Sequence, residues 1–233
     1  MIDKVYSSPE AALADIHDGA TVMVGGFGNA GMPVELIDAL INQGARDLTI
    51  VNNNAGNGET GLAALLKAGR VRKIICSFPR QTDSFVFDEL YRTGKIELEL
   101  VPQGNLAERI RAAGAGIGAF FTPTGFGTQL AEGKESRVID GRNQVLEYPI
   151  YADFALIKAW VADRRGNLTY RMTARNFGPI MATAARCTIV QACSVVETGD
   201  IDPENVITPC IYVHRIVPVP DRHIRNVAHG GNQ

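Results

Sequence analysis

Short unbroken apolar runs along this chain alternate with stretches whose apolar positions recur at helical spacing. That rhythm is the mark of buried strands alternating with amphipathic helices. Thr21-Val22-Met23-Val24, Leu48-Thr49-Ile50-Val51 and Val71 to Cys76 are the runs, rich in β-branched residues that suit a pleated position covered on both sides. Val34, Leu36, Ile37, Leu40 and Ile41 mark a helix from Pro33 to Gln43, stopped by Gly44. Ser7-Ser8-Pro9-Glu10 reads as an earlier helix entry, with a serine cap and a proline where its missing N–H costs nothing. Leu62, Leu65 and Leu66 predict a short helix closed by Gly69, and Asp83 to Tyr91 predicts another with Phe85, Phe87 and Leu90 as its apolar residues. Ile96 to Val101 alternates apolar and acidic residues, which places a strand near a sheet edge before a helix from Asn105 to Ala113.

Repetition of strand, loop and helix predicts an α/β fold, an open three-layer α/β/α arrangement around a largely parallel, Rossmann-like sheet. Ligands of such sheets bind beyond the strand C-termini. The loops at those ends are Gly25 to Gly31, Asn52 to Gly58, Ser77 to Gln81 and Pro102 to Asn105, and they are expected to converge. From Phe120 the pattern loosens, and Gly133 to Gly141 is polar and charged. Strands are expected at Val145 to Glu147, Phe154 to Trp160, Leu168 to Tyr170, Cys187 to Ala192 and Ile211 to Val213. Asp163 to Asn167 reads as a hairpin turn, and Arg175 to Pro179 leads into an alanine-rich helix through Ala185. No linker divides the chain, so residues 1–233 are expected to form one domain, with a polar, frayed tail from about Pro218.

The candidate chemistry starts at Gly25-Gly26-Phe27-Gly28-Asn29-Ala30-Gly31. A strand, a glycine turn and a helix start together build a pocket of backbone N–H groups suited to an anion, an oxyanion or a thioester chain. Gly26-x-Gly28-x-x-Gly31 also satisfies the dinucleotide fingerprint, which opens the alternative of an NAD-binding oxidoreductase. That fingerprint wants an acidic residue at the end of the next strand to hold the ribose. Here the strand ends in Asn52-Asn53-Asn54. A structural glycine turn on a non-catalytic scaffold is the remaining reading.

Composition narrows the field. Apolar residues make up 45% and charged residues 21% of the 233, and the net charge is −2, against a nucleic-acid or membrane-surface binder. No apolar run reaches membrane-spanning length, and the N-terminus lacks a basic-then-apolar signal pattern. Cys76, Cys187, Cys193 and Cys210 form no C-x-x-C pair, so no metal site is expected and a reduced cytoplasm is the expected compartment. Trp160 is expected in the core, and Arg109 and Arg111 on a solvated or interfacial helix face.

Four ordered blocks carry a resemblance. Gly25 to Pro33, Pro102-Gln103-Gly104-Asn105-Leu106-Ala107-Glu108-Arg109-Ile110-Arg111, Thr122-Pro123-Thr124-Gly125-Phe126-Gly127-Thr128 and Ala174-Arg175-Asn176-Phe177 resemble the class I coenzyme A transferases, specifically the A (alpha) subunits that act on 3-oxoacids. The resemblance runs from about residue 5 to about residue 220. It implies transfer of CoA from succinyl-CoA to a 3-oxoacid through an anhydride and then a glutamyl-CoA thioester, with CoA bound only as part of the substrate. The nucleophilic glutamate belongs to the B subunit, the implied partner in a heterodimer or heterotetramer. This chain has no Glu-Asn-Gly; Glu59 and Glu204 are the nearest substitutes and neither matches. The resemblance further places an oxyanion-stabilising glutamine at Gln103, an active-site asparagine at Asn53, and the glycine turn Gly25 to Gly31 against the pantetheine arm. The loop Ser77 to Asp83 resembles the 3-oxoadipate type more than the acetoacetate type, and Arg80 within it is the candidate for holding a second substrate carboxylate.

Overall fold

The computed structural model describes residues 2–220, so most of the expected tail lies outside the described residues. Helix α1 (Pro9–Leu13) starts where Ser8 Oγ accepts the Ala11 N–H at 3.2 Å. Strand β1 (Thr21–Val24) leads through the glycine turn to α2 (Val34–Gln43), which Gly44 closes at φ +99°. Then follow β2 (Leu48–Val51), α3 (Leu62–Lys67), β3 (Val71–Cys76), α4 (Phe85–Arg92), β4 (Glu97–Leu100) and α5 (Gln103–Gly114). A small antiparallel sheet comes next, from β5 (Phe120–Thr122), β6 (Ser136–Ile139) and β7 (Arg142–Glu147) in the order β5-β7-β6. The chain returns to the main sheet as β8 (Ala152–Asp163), then β9 (Leu168–Thr169), α6 (Gly178–Ala184), β10 (Ala185–Val196) and β11 (Arg215–Pro218).

The main sheet runs β11-β10-β8-β1-β2-β3-β4, every one of these pairs parallel, with β9 antiparallel on β8. Outward progress from β1 to β4 through right-handed crossovers puts α2, α3 and α4 on one face, where α1 joins them. After the return to β8 the strands advance the other way, so α6 lands on the opposite face beside α5. Each face has its own core. Val22 and Val24 pack with Leu13, Leu36, Ile37, Leu65 and Phe87, whereas Met23 between them packs with Leu106, Ile110 and Met181. That alternation is the period-two pleat of a strand covered on both sides.

Several expectations change. The buried residues of α4 are Val86 and Phe87, while Phe85 is exposed. Ile211 to Val213 is no strand: Cys210–Tyr212 forms a 3-10 turn, and the pairing segment is Arg215–Pro218, parallel to β10. The polar stretch before residue 145 does form strands. Asp140 and Gly141, at φ +49° and +73°, close a two-residue hairpin between Ile139 and Arg142, the Asp-Gly turn whose twist matches its strands. Trp160 is only partly buried, with the Arg171 guanidinium 4.8 Å from its ring centroid. Arg109, expected on a solvated or interfacial face, has a side chain only 14% exposed, because it answers the carboxylates of Glu99 and Glu147. Arg111 is exposed and pairs with Glu108 one turn away.

Candidate active site

The glycine turn sits where strand order reverses. β1 has β2 on one side and β8 on the other, although β8 follows much later in the chain. In open parallel sheets that reversal leaves a crevice beyond the strand ends, and ligands use it. Gly25 N–H donates to Leu156 O at 2.9 Å, stitching the start of the turn to β8. Phe27 and Ala30 exchange backbone hydrogen bonds around Gly28, which has φ +58°, and Phe27 is left half exposed. The N–H groups of Gly25, Phe27 and Ala30 are thus spent inside the fold. Those of Gly26, Gly28, Asn29 and Gly31 have no partner among the described residues. The expected anion cradle is accordingly narrower than the seven-residue stretch.

A strap at 171–176 closes over this turn. Asn176 Nδ2 donates to Ala30 O at 2.9 Å, and the Ala174 carbonyl lies 2.8 Å from where a side chain on Gly31 would begin. Gly31 also has φ +76°, a conformation that L residues adopt only at a cost. Gly31→Ala is therefore expected to push the strap away and to lower stability by about 1–3 kcal/mol, the usual range for overpacking. Thermal unfolding together with proteolysis of the 171–176 segment checks this; an unchanged midpoint with an intact strap contradicts it.

Asn53 lies in the loop after β2, in a run of three buried asparagines that build the loop from within. Asn52 Nδ2 donates to Val24 O at 2.6 Å, and Asn52 Oδ1 accepts the Asn54 N–H at 2.8 Å. Asn52 is therefore spent on the fold, and the end of β2 offers no group for a dinucleotide ribose. The helix after the glycine turn begins only at Val34, behind Pro33, further from the glycines than a dinucleotide site needs. Asn53 is 3% exposed; its Oδ1 accepts the Ser77 hydroxyl at 2.8 Å, and its backbone oxygen accepts the N–H groups of Ser77 and Phe78. With the amide oxygen so held, Nδ2 is the donor left over.

The other loops close in on the same side. Val101 N–H donates to Cys76 O at 3.0 Å and Asn57 Nδ2 bonds Gln81 Oε1, so the loops after β2, β3 and β4 are tied together. Burial pushes the Cys76 thiol up to about 12, which leaves it inert behind this cluster. Gln103, expected in a capping loop, is instead the first residue of α5, exposed, with no side-chain hydrogen bond among the described residues. Pro102, at φ −51° and ψ 139°, turns the chain sharply enough for the helix to start there. Arg80 holds Asp88 in an exposed ion pair at 2.6 Å. The strap, with Lys158 and Trp160 opposite it on β8, has no role assigned by the sequence patterns. The signal available was the block Ala174 to Phe177, which contains Arg175, with Arg171 three residues before it.

A coenzyme A transferase family model matches residues 6–218. The chain belongs to the coenzyme A transferases. Within that family it is 68% identical over 228 residues to the A subunit of 3-oxoadipate CoA-transferase from Pseudomonas putida, covering 98% of this chain and 99% of that one. It is 49% identical to the A subunit of succinyl-CoA:3-ketoacid coenzyme A transferase from Xanthomonas campestris, covering 95% and 92% of the two chains. Glutaconate coenzyme A-transferase from Acidaminococcus fermentans shares the fold with a TM-score of 0.83 at 21% identity, over 93% of this chain and 76% of that one. This chain is therefore one component of an enzyme that handles CoA thioesters, and relatives named as A subunits imply a second component. No helix among the described residues is long and apolar enough to cross a membrane.

Proposed function

We propose that this chain is the non-nucleophilic A subunit of a heteromeric transferase that moves CoA from succinyl-CoA to 3-oxoadipate in the cytoplasm, with the nucleophilic glutamate on a B subunit. One observation carries the division of labour. The converging loops offer amide and backbone donors, whereas the nearest candidate nucleophile is already engaged. Glu59 is exposed and bonded to Lys67 at 2.7 Å, and that hydrogen bond holds its carboxyl below the usual range. Acyl transfer through a carboxylate builds negative charge on carbonyl oxygens, so preorganised uncharged donors are the groups that this half can supply. In this reading Gln103 and Asn53 stabilise that charge, and Gly25 to Gly31 lies along the pantetheine arm.

The 68% match to a component of a 3-oxoadipate enzyme, against 49% to that of a 3-ketoacid enzyme, favours 3-oxoadipate over acetoacetate. Arg80 spends its Nε on Asp88, so a second carboxylate there would share the guanidinium with Asp88. The test of the whole reading is reconstitution. The purified chain alone is expected to transfer no CoA, and activity is expected on mixing with a B-type partner, with kcat/KM higher for 3-oxoadipate than for acetoacetate. Transfer by the chain free of any partner, verified by mass spectrometry, overturns it.

A further inference from the structure

Between the glycine turn, the strap, β8 and β10 lies a cavity of about 270 Å³ whose wall includes Ala30, Gly31, Lys158, Trp160, Arg171 and Cys193. It occupies the crevice where strand order reverses. Its wall carries two cationic side chains and no carboxylate. Neither Lys158 nor Arg171 makes an ion pair or a side-chain hydrogen bond among the described residues, and Arg171 instead rests over the Trp160 ring. Two other cavities carry carboxylates as well as cations: Asp200 and Asp202 line one with Arg175, and Glu99 and Glu147 line one with Arg109 and Lys134. Two unanswered cations in a concave wall next to the proposed reaction site call for an anion from outside the chain.

The size of the cavity restricts which anion. Sites for drug-sized ligands occupy roughly 300–1,000 Å³, so 270 Å³ suits a short acyl chain better than the nucleotide end of CoA. Succinyl-CoA and 3-oxoadipate share one feature that acetoacetate lacks: a carboxylate at the end remote from the reacting one. We propose that Lys158 and Arg171 bind this far carboxylate and set the preference for dicarboxylic over monocarboxylic acids. The inference rests on the transferase reading above. One cationic pocket serves donor and acceptor alike, because the two acyl groups occupy the site in turn. Trp160 fixes the plane of the guanidinium and keeps water from one of its faces, which favours a paired carboxylate. Lys158 is held by β8 and Arg171 by the strap, so strap and sheet would close on the substrate together.

Trp160 is the one tryptophan in the sequence and serves as a built-in probe. Titrating the full chain with succinate or adipate is expected to shift its emission saturably, and butyrate is expected not to. Arg171→Gln should abolish the response and Arg171→Lys should keep part of it. In the assembled enzyme, Arg171→Gln and Lys158→Gln are expected to lower the ratio of kcat/KM for 3-oxoadipate over acetoacetate about ten- to hundredfold, the usual scale of a hydrogen bond to a charged group. An unchanged ratio overturns the proposal, as does an equal response to butyrate. A raised KM for succinyl-CoA with the acid ratio unchanged assigns the cations to the CoA phosphates, and loss of the ratio with Arg80→Gln in place of Arg171→Gln moves the carboxylate site to Arg80. If wild-type enzyme transfers no CoA at all, the transferase reading fails, while the fluorescence titration still decides the pocket.

Discussion

Replacing Gln103 with alanine in the assembled enzyme is expected to lower kcat about 10²–10³-fold, the usual loss for one oxyanion donor. Gln103 is exposed at the start of α5, and its amide has no partner among the described residues, so little of the fold depends on it. Assembly and thermal stability should therefore survive the change. Gln103→Glu keeps the shape but replaces the NH₂ donor with a negative charge at the place where the proposed mechanism builds negative charge, and should lose at least as much. The diagnostic is the split between constants. A fall in kcat and kcat/KM together means that the interaction is made in the transition state, whereas a rise in KM alone makes Gln103 a substrate-binding group and ends the oxyanion assignment.

Arg109→Ala is expected to cost about 3–5 kcal/mol of folding stability, the scale for breaking a buried ion pair from one side. Arg109 Nη1 donates to Glu99 Oε1 at 3.0 Å and its Nε to Tyr148 O at 2.7 Å, with Glu147 Oε2 3.8 Å away. Glu147 is 4% exposed at its side chain and keeps Lys134 at 2.7 Å and Asn105 Nδ2 at 3.2 Å; Glu99 keeps Lys73 at 2.6 Å. These remaining partners place the expected loss at the lower end of the range. Denaturant unfolding should show the midpoint falling with little change in slope; a loss under about 1 kcal/mol would mean that the neighbours absorb the charge. The pH dependence gives a second reading. Burial raises the Glu99 carboxyl, but hydrogen bonds from Lys73 and Arg109 outweigh it and leave the group below its ordinary value of 4.5. Such a group stabilises the fold above its unfolded pKa, and that contribution disappears as pH falls through the folded value. The variant should show a weaker acid dependence than the wild type.

The same network explains why the edge of the sheet was hard to read. Alternation of apolar and acidic residues from Ile96 to Val101 placed β4 at an edge, and β4 is the last strand of the sheet. The acid at Glu99 implied solvent, yet its partners Lys73 and Arg109 come from β3 and α5 and half bury it. Sequence spacing cannot announce such a partner. The Asp140-Gly141 turn is a different case: its local signal was present, but the polar residues around it masked β6, which is exposed over most of its length, and the exposed start of β7, of which only Val145 to Glu147 was legible.

By itself the sequence determined the elements whose causes are local: β1, β2 and β3, the helices capped by Ser8 and stopped by Gly44, and the parallel α/β layout that their alternation requires. Cap chemistry, β-branching and apolar spacing act over a few residues, so they survive being read in a line. Four separated blocks likewise sufficed to mark the family. The tertiary structure alone decided that β8 returns beside β1, that Asn176 clamps the glycine turn, and that Lys158 and Arg171 come to face one cavity. The first two of those contacts join residues more than a hundred positions apart, and they form because burying both faces of the sheet outweighs the entropy of closing such loops. No local pattern encodes which distant strand completes the crevice.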